Sequence, residues 1–540
     1  MVPSGGGDVK TSGYLMGSRR LLEEIRRREK NVPPAVAHMQ DLLEHIDTNA
    51  AQIASALAAS RRRRSQEGLA GVSALLQEQD KLLKELKVAG HSFKCKPRRK
   101  RPRPSTTLHS RQDTPPDQTS MGKDNLVRGI GRMSNLVMQR GKGSFVWTTD
   151  NRKLLDFTSG IAVTNLGHCH PRVVEAAQKQ VATLVHGQVN IGYHEPMLKL
   201  VDRLLPLMPT GLDSLFFATT GSEAVENAVK LARHATGKQN IIVFQGGYHG
   251  RTLGAMSLTT SKTIYRAGFG PLMPGVTVVP YPYSVHGPVY DNEECGAWCL
   301  DQLRLSLKQQ TAPSETAAVL IEPILGEGGY VVPTKSFMQG LRQICTENDM
   351  LLITDEVQCG FGRTGEYFAS NGHFDVTPDI LVMAKGIANG FPLSGIASRK
   401  ELTDRQPPGS MGGTYAGNAV SCAAALATQD VIRDELVLDN TKARGIELVE
   451  GLNRLKASGK YPILDVRGIG LMVAIEFDPK AVPAGTASRI SQACLDHGMM
   501  VLTTSVFETL RLMPPLTLSA EECQLGLDIF EKALDDVFAK

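Results

Sequence analysis

The stretch DILVMAKGIANGFPLSG, residues 379–395, runs through Ile380–Ala384 as an unbroken apolar block, places Lys385 at its end and then breaks into glycines. A short apolar block closed by glycine reads as a fully buried strand of a parallel sheet. A lysine at the end of such a strand has two readings. Its stem can lie on apolar surface while the ammonium reaches water. Alternatively the amine is desolvated because it is a nucleophile, the condition that Schiff-base chemistry requires.

The same texture recurs on either side. SLFFATT (214–220) leads into SEAVENAVKLARHATG (222–237), NIIVFQGG (240–247) and AAVLIEPI (317–324) follow, and FMQGLRQICTENDM (337–350) precedes LLITDEV (351–357). Apolar runs ending in Gly or Asp and separated by amphipathic helices predict an α/β domain with a mostly parallel sheet. After about residue 420 come helix-rich sequence, a strand GLMVAIEF (470–477) and closing helices, which predict a smaller α/β domain. The expected divisions are 1–120, an appended extension; 121–165, a segment belonging to the small domain; 166–420, the large domain; and 421–540, the remainder of the small domain.

The front of the chain is different in kind. Residues 1–120 hold 22 Lys and Arg against 13 Asp and Glu, and the remainder holds 38 against 42. The basic character therefore sits in the extension. Met39, Leu42, Leu43, Ile46, Ile53 and Leu57, and again Leu69, Val72, Leu76, Leu83 and Leu86, keep helical spacing. Residues 93–120 are basic, Pro-rich and nearly free of apolar side chains, as a disordered linker would be. KPRRKRPRP (96–104) has the composition of a nuclear address or a nucleic-acid or protein-binding patch, but solvated linker charge is the commoner meaning of such a run. No apolar run reaches the roughly 20 residues needed to cross a bilayer. The first thirty residues lack a signal-type apolar block, and nine cysteines spread along the chain suggest reduced thiols. These features predict a cytoplasmic protein without a membrane segment or disulfide framework. No metal site is expected: Cys295 and Cys299 have no second pair, and the adjacent His-Cys-His of GHCH (167–170) reads as a turn.

Ligands of open parallel sheets sit beyond the carboxyl ends of the strands. Past LFFATT, Thr220 and Glu223 have capping-box spacing, and Gly221 and Ser222 expose N–H groups to a phosphate or carboxylate. Past IIVFQ, GGYHGRT offers glycines for close approach, the rings of Tyr248 and His249, and the fork of Arg251. Past LLIT stands Asp355, a carboxylate that a buried strand end tolerates only with a specific cationic partner. GFGRTG (360–365) matches a dinucleotide fingerprint, but EYFASNGHF leaves no room for the helix of a βαβ unit, and the segment reads as a loop. A phosphate cradle, an aromatic face, a buried aspartate and a desolvated lysine are together the groups that pyridoxal phosphate requires.

These residues stand in DFTSGIAVTNLGHCHP, TTGSEAVENAVKLAR, GGYHGRT, IEPILGEGGY, ITDEVQCGFGRTG, MAKGIANGFPLSG and GGTYAGN. In that combination and order, the sequence from about residue 121 onward resembles the class III pyridoxal-phosphate aminotransferases of fold type I, closest to the 4-aminobutyrate (ω-amino acid) enzymes. The resemblance implies a homodimer with shared active sites, an amino donor and a 2-oxo acid acceptor. It implies Lys385 as the Schiff-base lysine and Asp355 as the partner of the ring nitrogen. Val357 and Tyr248 would face the ring, His249 would lie beside it, Gln358 would contact its hydroxyl, and Gly221 and Ser222 would bind the phosphate. Thr414 would reach the phosphate of the partner subunit. For the substrate, Ile161 would lie against it, Arg251 would take its distal carboxylate, and Arg511 the α-carboxylate of 2-oxoglutarate or glutamate. Glu327 would hold Arg511 when an ω-amine, which has no α-carboxylate, occupies the site. One position departs from the pattern: Leu325 precedes Gly326-Glu327 where the family often has Gln.

The expected activity is transfer of an ω-amino group, foremost from 4-aminobutyrate, to 2-oxoglutarate, giving the semialdehyde and glutamate. An acetylornithine or ornithine aminotransferase and a dialkylglycine-decarboxylase-like enzyme are alternatives on the same fold. A non-catalytic scaffold would have no use for Lys385.

Overall fold

The computed structural model describes residues 124–539 continuously, with Gly122 and scattered helical residues between Asp41 and Glu85. The chain divides into two units, Met1–Thr114 and Pro115–Lys540. Of the apolar stripes expected in the first unit only Leu42 is described, and 96–104 lies outside the described residues.

The second unit opens with three short antiparallel strands, β1 (Met138–Lys142), β2 (Phe145–Thr148) and β3 (Lys153–Asp156). Its centre is a seven-stranded sheet of β4 (Ser214–Ala218), β5 (Asn240–Phe244), β6 (Val276–Val279), β7 (Thr316–Ile321), β8 (Leu351–Asp355), β9 (Ile380–Met383) and β10 (Ser394–Ser398), in the order β4-β10-β9-β8-β7-β5-β6. The ladders from β6 through β9 are parallel, and β10 runs antiparallel to both its neighbours.

Both faces of this sheet are covered, which is why its strands read as continuous apolar runs. Ile241, Val243, Ala318 and Leu320 face the helix Gly221–Thr236 through Ala224, Ala228, Leu231 and Ala232. The alternate residues Ile242, Phe244, Val319 and Ile321 pack with Cys299, Leu303, Phe337 and Leu341 of the helices Asn292–Gln309 and Lys335–Glu347. Period-two alternation thus feeds two cores at once, with about 1.5–3 kcal/mol gained for each large aliphatic side chain fully buried.

A second sheet contains β11 (Ile463–Ile469), β12 (Met472–Phe477), β14 (Leu502–Thr504) and β15 (Thr509–Leu512), in the order β11-β12-β15-β14. The two-residue β13 (Met499–Met500) instead joins β3 in parallel. The expected strand at 470–477 is β12. Its partners β11 (ILDVRGI) and β15 (TLRL) alternate apolar with polar residues and were not singled out. GFGRTG is a loop, as expected. It holds the wholly buried Arg363, which donates to the carbonyls of Leu471 (3.0 Å) and Pro514 (2.6 Å) and to Asn165 Oδ1 (2.8 Å). In GHCH the two imidazoles diverge, His168 to Asp156 at 2.7 Å and His170 to Glu435 at 3.4 Å.

Candidate active site

Five strands deliver their ends to one place. A cavity of about 310 Å³ lies beyond the carboxyl ends of the parallel strands. Its lining includes eight residues singled out from sequence: Gly221, Ser222, Tyr248, His249, Asp355, Val357, Gln358 and Lys385.

Past β4 the chain turns into the helix Gly221–Thr236 through the expected capping box. Thr220 Oγ1 accepts from the N–H of Glu223 (3.3 Å), and Glu223 Oε2 accepts from the N–H of Thr220 (3.0 Å). This fixes the helix start with its first N–H groups at the cavity wall. A Cβ is crowded at one point here and excluded at another. A Cβ on Gly221 would stand 3.2 Å from Val357 Cγ1, and one on Gly250, at φ +127°, would stand 2.0 Å from Ser222 Oγ.

Past β8, Asp355 is buried and held on both oxygens. Its Oδ2 lies 2.7 Å from His249 Nδ1, and its Oδ1 accepts the N–H of Val357 at 3.1 Å. The partner demanded by a buried carboxylate is therefore an imidazole delivered from the loop after β5. Lys385 follows β9 with φ +44°, a left-handed conformation that costs a non-glycine residue of order 1–3 kcal/mol and persists only where the surroundings impose it. Burial pulls its ammonium down to about 8, against the opposing pull of Glu327. At neutral pH a useful fraction of the amine is therefore unprotonated, as a nucleophile and proton carrier requires.

Past β7 stands a further buried acid, the first polar residue after AAVLI. Glu322 is buried, and its Oε1 and Oε2 accept the N–H groups of Tyr248 (2.7 Å) and Gly326 (2.9 Å). Burial first, with the nearby Asp355 adding to it, pushes its carboxyl up to about 7. The signal was present: an acid directly behind the apolar run AAVLI, the same argument that selected Asp355 behind LLIT. Tyr265, stacked edge-on against Tyr248 with centroids 5.3 Å apart, was also missed.

The remaining predicted residues stand outside the lining of this cavity. Arg511 on β15 forms a buried ion pair with Glu327. Arg251 is exposed, its Cζ lies 4.5 Å from the Tyr265 ring centroid, and its Nε donates to Tyr248 Oη at 3.2 Å. Ile161 is 39% exposed at φ +67°, and Val163, two residues on, lines the cavity in its place. Thr414 lies in an exposed loop. Gln358 accepts from Tyr330 Oη at 2.6 Å, and Leu325, where the family often has an amide, is buried against Gly246 and Gly328.

These residues fit pyridoxal phosphate. Gly221 and Gly250 bring bare backbone to the cavity wall at the helix start, and a desolvated amine and an imidazole-held aspartate line the same cavity. Fold and site together define a pyridoxal-phosphate-dependent transferase. The aminotransferase class-III family model matches residues 128–534, and the chain belongs to that family. It is a pyridoxal-phosphate-dependent aminotransferase, taking an amino donor and an oxo-acid acceptor.

Two bacterial relatives are similar over nearly their full length. The 4-aminobutyrate aminotransferase GabT of Escherichia coli is 40% identical over 419 residues, 76% of this chain and 96% of that protein. The 5-aminovalerate aminotransferase DavT of Pseudomonas aeruginosa is 38% identical over 416 residues, with the same coverages. Among solved structures, an (S)-enantioselective omega-transaminase from Thermomicrobium roseum superposes with a TM-score of 0.70 at 32% identity, covering 74% of this chain and 93% of that one. A PLP-bound amine transaminase from an uncultivated Pseudomonas species gives a TM-score of 0.69 at 29% identity, covering 80% and 99%.

Proposed function

We propose that the enzyme transfers the terminal amino group of a short ω-amino acid, 4-aminobutyrate foremost, to 2-oxoglutarate, yielding the semialdehyde and glutamate. The buried Arg511–Glu327 pair carries this reading. A buried guanidinium without a counter-charge costs several kcal/mol. Glu327 supplies that charge when the bound amine has no α-carboxylate. When 2-oxoglutarate or glutamate enters, its α-carboxylate takes the guanidinium and Glu327 gives way. Arg251 holds the distal carboxylate in both half-reactions. The names of the two bacterial relatives, which act on 4-aminobutyrate and 5-aminovalerate, support the same substrate class.

When bound, pyridoxal phosphate supplies an electron sink for the carbon that carries the amino group. The chain's own residues do the rest. The N–H groups of Gly221 and Ser222 hold the phosphate at the helix start. Asp355, oriented by His249, holds a proton on the ring nitrogen. Val357 and Tyr248 confine the ring, and Gln358, itself held by Tyr330, hydrogen-bonds its hydroxyl. Lys385 tethers the cofactor and moves a proton at the substrate carbon.

We read the working form as a cytoplasmic homodimer in which the partner's copy of the Thr414 loop completes each site. The exposed position of Thr414, outside the lining of its own cavity, supports this, as do the apolar Ile191 (90% exposed), Tyr193 (81%) and Ile264 (74%) on the surface. No helix among the described residues is long and apolar enough to cross a membrane. The pairing of β3 with β13 supports joining 121–165 to 421–540 as the small domain. The test of the substrate is single-turnover loss of the visible absorbance of the lysine-bound cofactor. Candidate donors are 4-aminobutyrate, 5-aminovalerate, β-alanine, ornithine and N-acetylornithine. A rate constant for N-acetylornithine or ornithine well above that for every ω-amino acid would refute the proposal.

A further inference from the structure

A larger cavity, about 540 Å³, opens beyond the ends of β5, β6 and β7, and the turn Ser505–Phe507 contributes to its lining. None of the residues lining the cofactor cavity lines it. Its walls are apolar and aromatic: Tyr281, Tyr283, Trp298, Leu325 and Phe507, the last stacked on His286 at 3.4 Å between centroids. Its volume lies within the roughly 300–1,000 Å³ typical of small-molecule sites, and its lining combines an apolar and aromatic body with polar side chains.

Gln245, Thr260, Thr263, His286 and Ser505 also line the cavity, and two adjacent polar groups, Ser261 and Lys262, stand out among them. Ser261 is 5% exposed, and its Oγ has no hydrogen-bond partner among the described residues. Lys262 is half-buried, and burial pushes its ammonium below the usual lysine value. The carboxylate whose field it feels is Glu327, which is already paired with Arg511. An orphaned hydroxyl donor and a half-buried cation stand side by side in this wall, and neither has a hydrogen-bond acceptor of its own among the described residues.

We propose that this cavity binds a small carboxylate carrying an apolar body, an aryl- or alkyl-alkanoate. The carboxylate would sit on the Lys262 ammonium and the Ser261 hydroxyl, and the body against Trp298, Tyr283, Phe507 and Leu325. The departure at Leu325 takes part in this: where an amide would present hydrogen-bonding groups, the leucine gives the cavity an apolar wall. The cavity also touches the catalytic machinery. Leu325 and Gly328 line it, Glu327 lies between them, and the Glu327 carbonyl accepts the N–H of Ser505 (2.8 Å) and the hydroxyl of Thr504 (3.0 Å). An occupant therefore presses on the loop that carries the Arg511 partner. The chemistry is the same whether the carboxylate is a separate effector or the tail of a long amino donor.

The molecule contains its own reporter. Of its two tryptophans, Trp147 lies on β2 and Trp298 lines the cavity. In full-length W147F holoenzyme, titration with 4-phenylbutyrate should change Trp298 fluorescence saturably. The uncharged isostere 4-phenylbutyramide should bind at least tenfold more weakly, and K262M should weaken the carboxylate to a similar degree. The amide comparison needs no substitution at the site and stands if K262M does not fold. A saturable signal that is competitive with the amino donor assigns the cavity to a substrate tail, and one that persists in the presence of saturating donor assigns it to an effector. Absence of a saturable change with 4-phenylbutyrate, or equal affinity for acid and amide, would overturn the proposal.

Discussion

Replacing Glu327 by Gln tests the central claim about substrate choice, because it removes one charge and little volume. The Glu327 and Arg511 side chains are 10% and 4% exposed, so water compensates neither. Removing one partner of such a pair typically costs about 3–5 kcal/mol. In the wild type, an incoming α-carboxylate must displace Glu327 before it can use the guanidinium. In the variant it meets an uncompensated cation. The affinity gained equals the coupling that no longer has to be broken. Taking the lower end, about 3 kcal/mol, since a glutamine oxygen still accepts one hydrogen bond, this is roughly a 150-fold tighter constant for 2-oxoglutarate. For 4-aminobutyrate, whose complex and free enzyme both leave Arg511 unmatched, the change should stay within about threefold by the same cycle. The assay is equilibrium titration of each ligand, with thermal melting alongside. The variant should melt below the wild type, and 2-oxoglutarate should restore much of the loss. Burial works to raise the Glu327 carboxyl, but Arg511 outweighs it and holds the group below its ordinary 4.5. A depressed carboxylate contributes stability that is complete above about 4.5 and disappears as pH falls through the folded value, so the two proteins should converge in acid. Parallel changes for both ligands, or a weakened 2-oxoglutarate complex, would refute the switch.

Four further outcomes follow from the same geometry. Lys385→Ala should abolish turnover and the visible band of lysine-bound cofactor while leaving a folded protein, and near wild-type turnover by that variant would exclude Lys385. With the Lys385 ammonium at about 8, the rate of cofactor loading onto apoenzyme should rise about tenfold per pH unit from 6 and level off above 8. Because the folded value lies below the ordinary 10.5, linked stability should rise between about 8 and 10.5; a loading rate still climbing steeply at pH 9.5 would contradict this. Asp355→Asn should retain cofactor yet slow the first half-reaction by roughly a hundred- to a thousand-fold, since a neutral amide holds no proton on the ring nitrogen; an unchanged single-turnover rate excludes that role. Residues 121–540 expressed alone should dimerise and carry cofactor at the specific activity of the full chain, and failure of either would make the extension part of the catalytic fold.

What can be read from the sequence alone is what short-range physics controls. Apolar runs of strand length, amphipathic helices between them, the Thr220–Glu223 cap and the acid behind LLIT are all settled within a few residues of each other, so their meaning survives without coordinates. Lys385 belongs here in part: its place at the end of a strand was visible, and its role came from resemblance. The tertiary structure decided which strand ends meet. In the order β4-β10-β9-β8-β7-β5-β6, His249 and Asp355, 106 residues apart, become hydrogen-bonded neighbours. Glu322 receives two backbone N–H groups from separate loops, and Leu325 becomes a wall of a second cavity. That order depends on how helices cover both faces of the sheet, a cooperative packing outcome that period-two patterning is equally compatible with in many arrangements. For the same reason Ser261 and Lys262, two polar residues in an unremarkable loop, carried no sequence signal. Their lack of hydrogen-bond partners among the described residues exists only once the walls around them have formed.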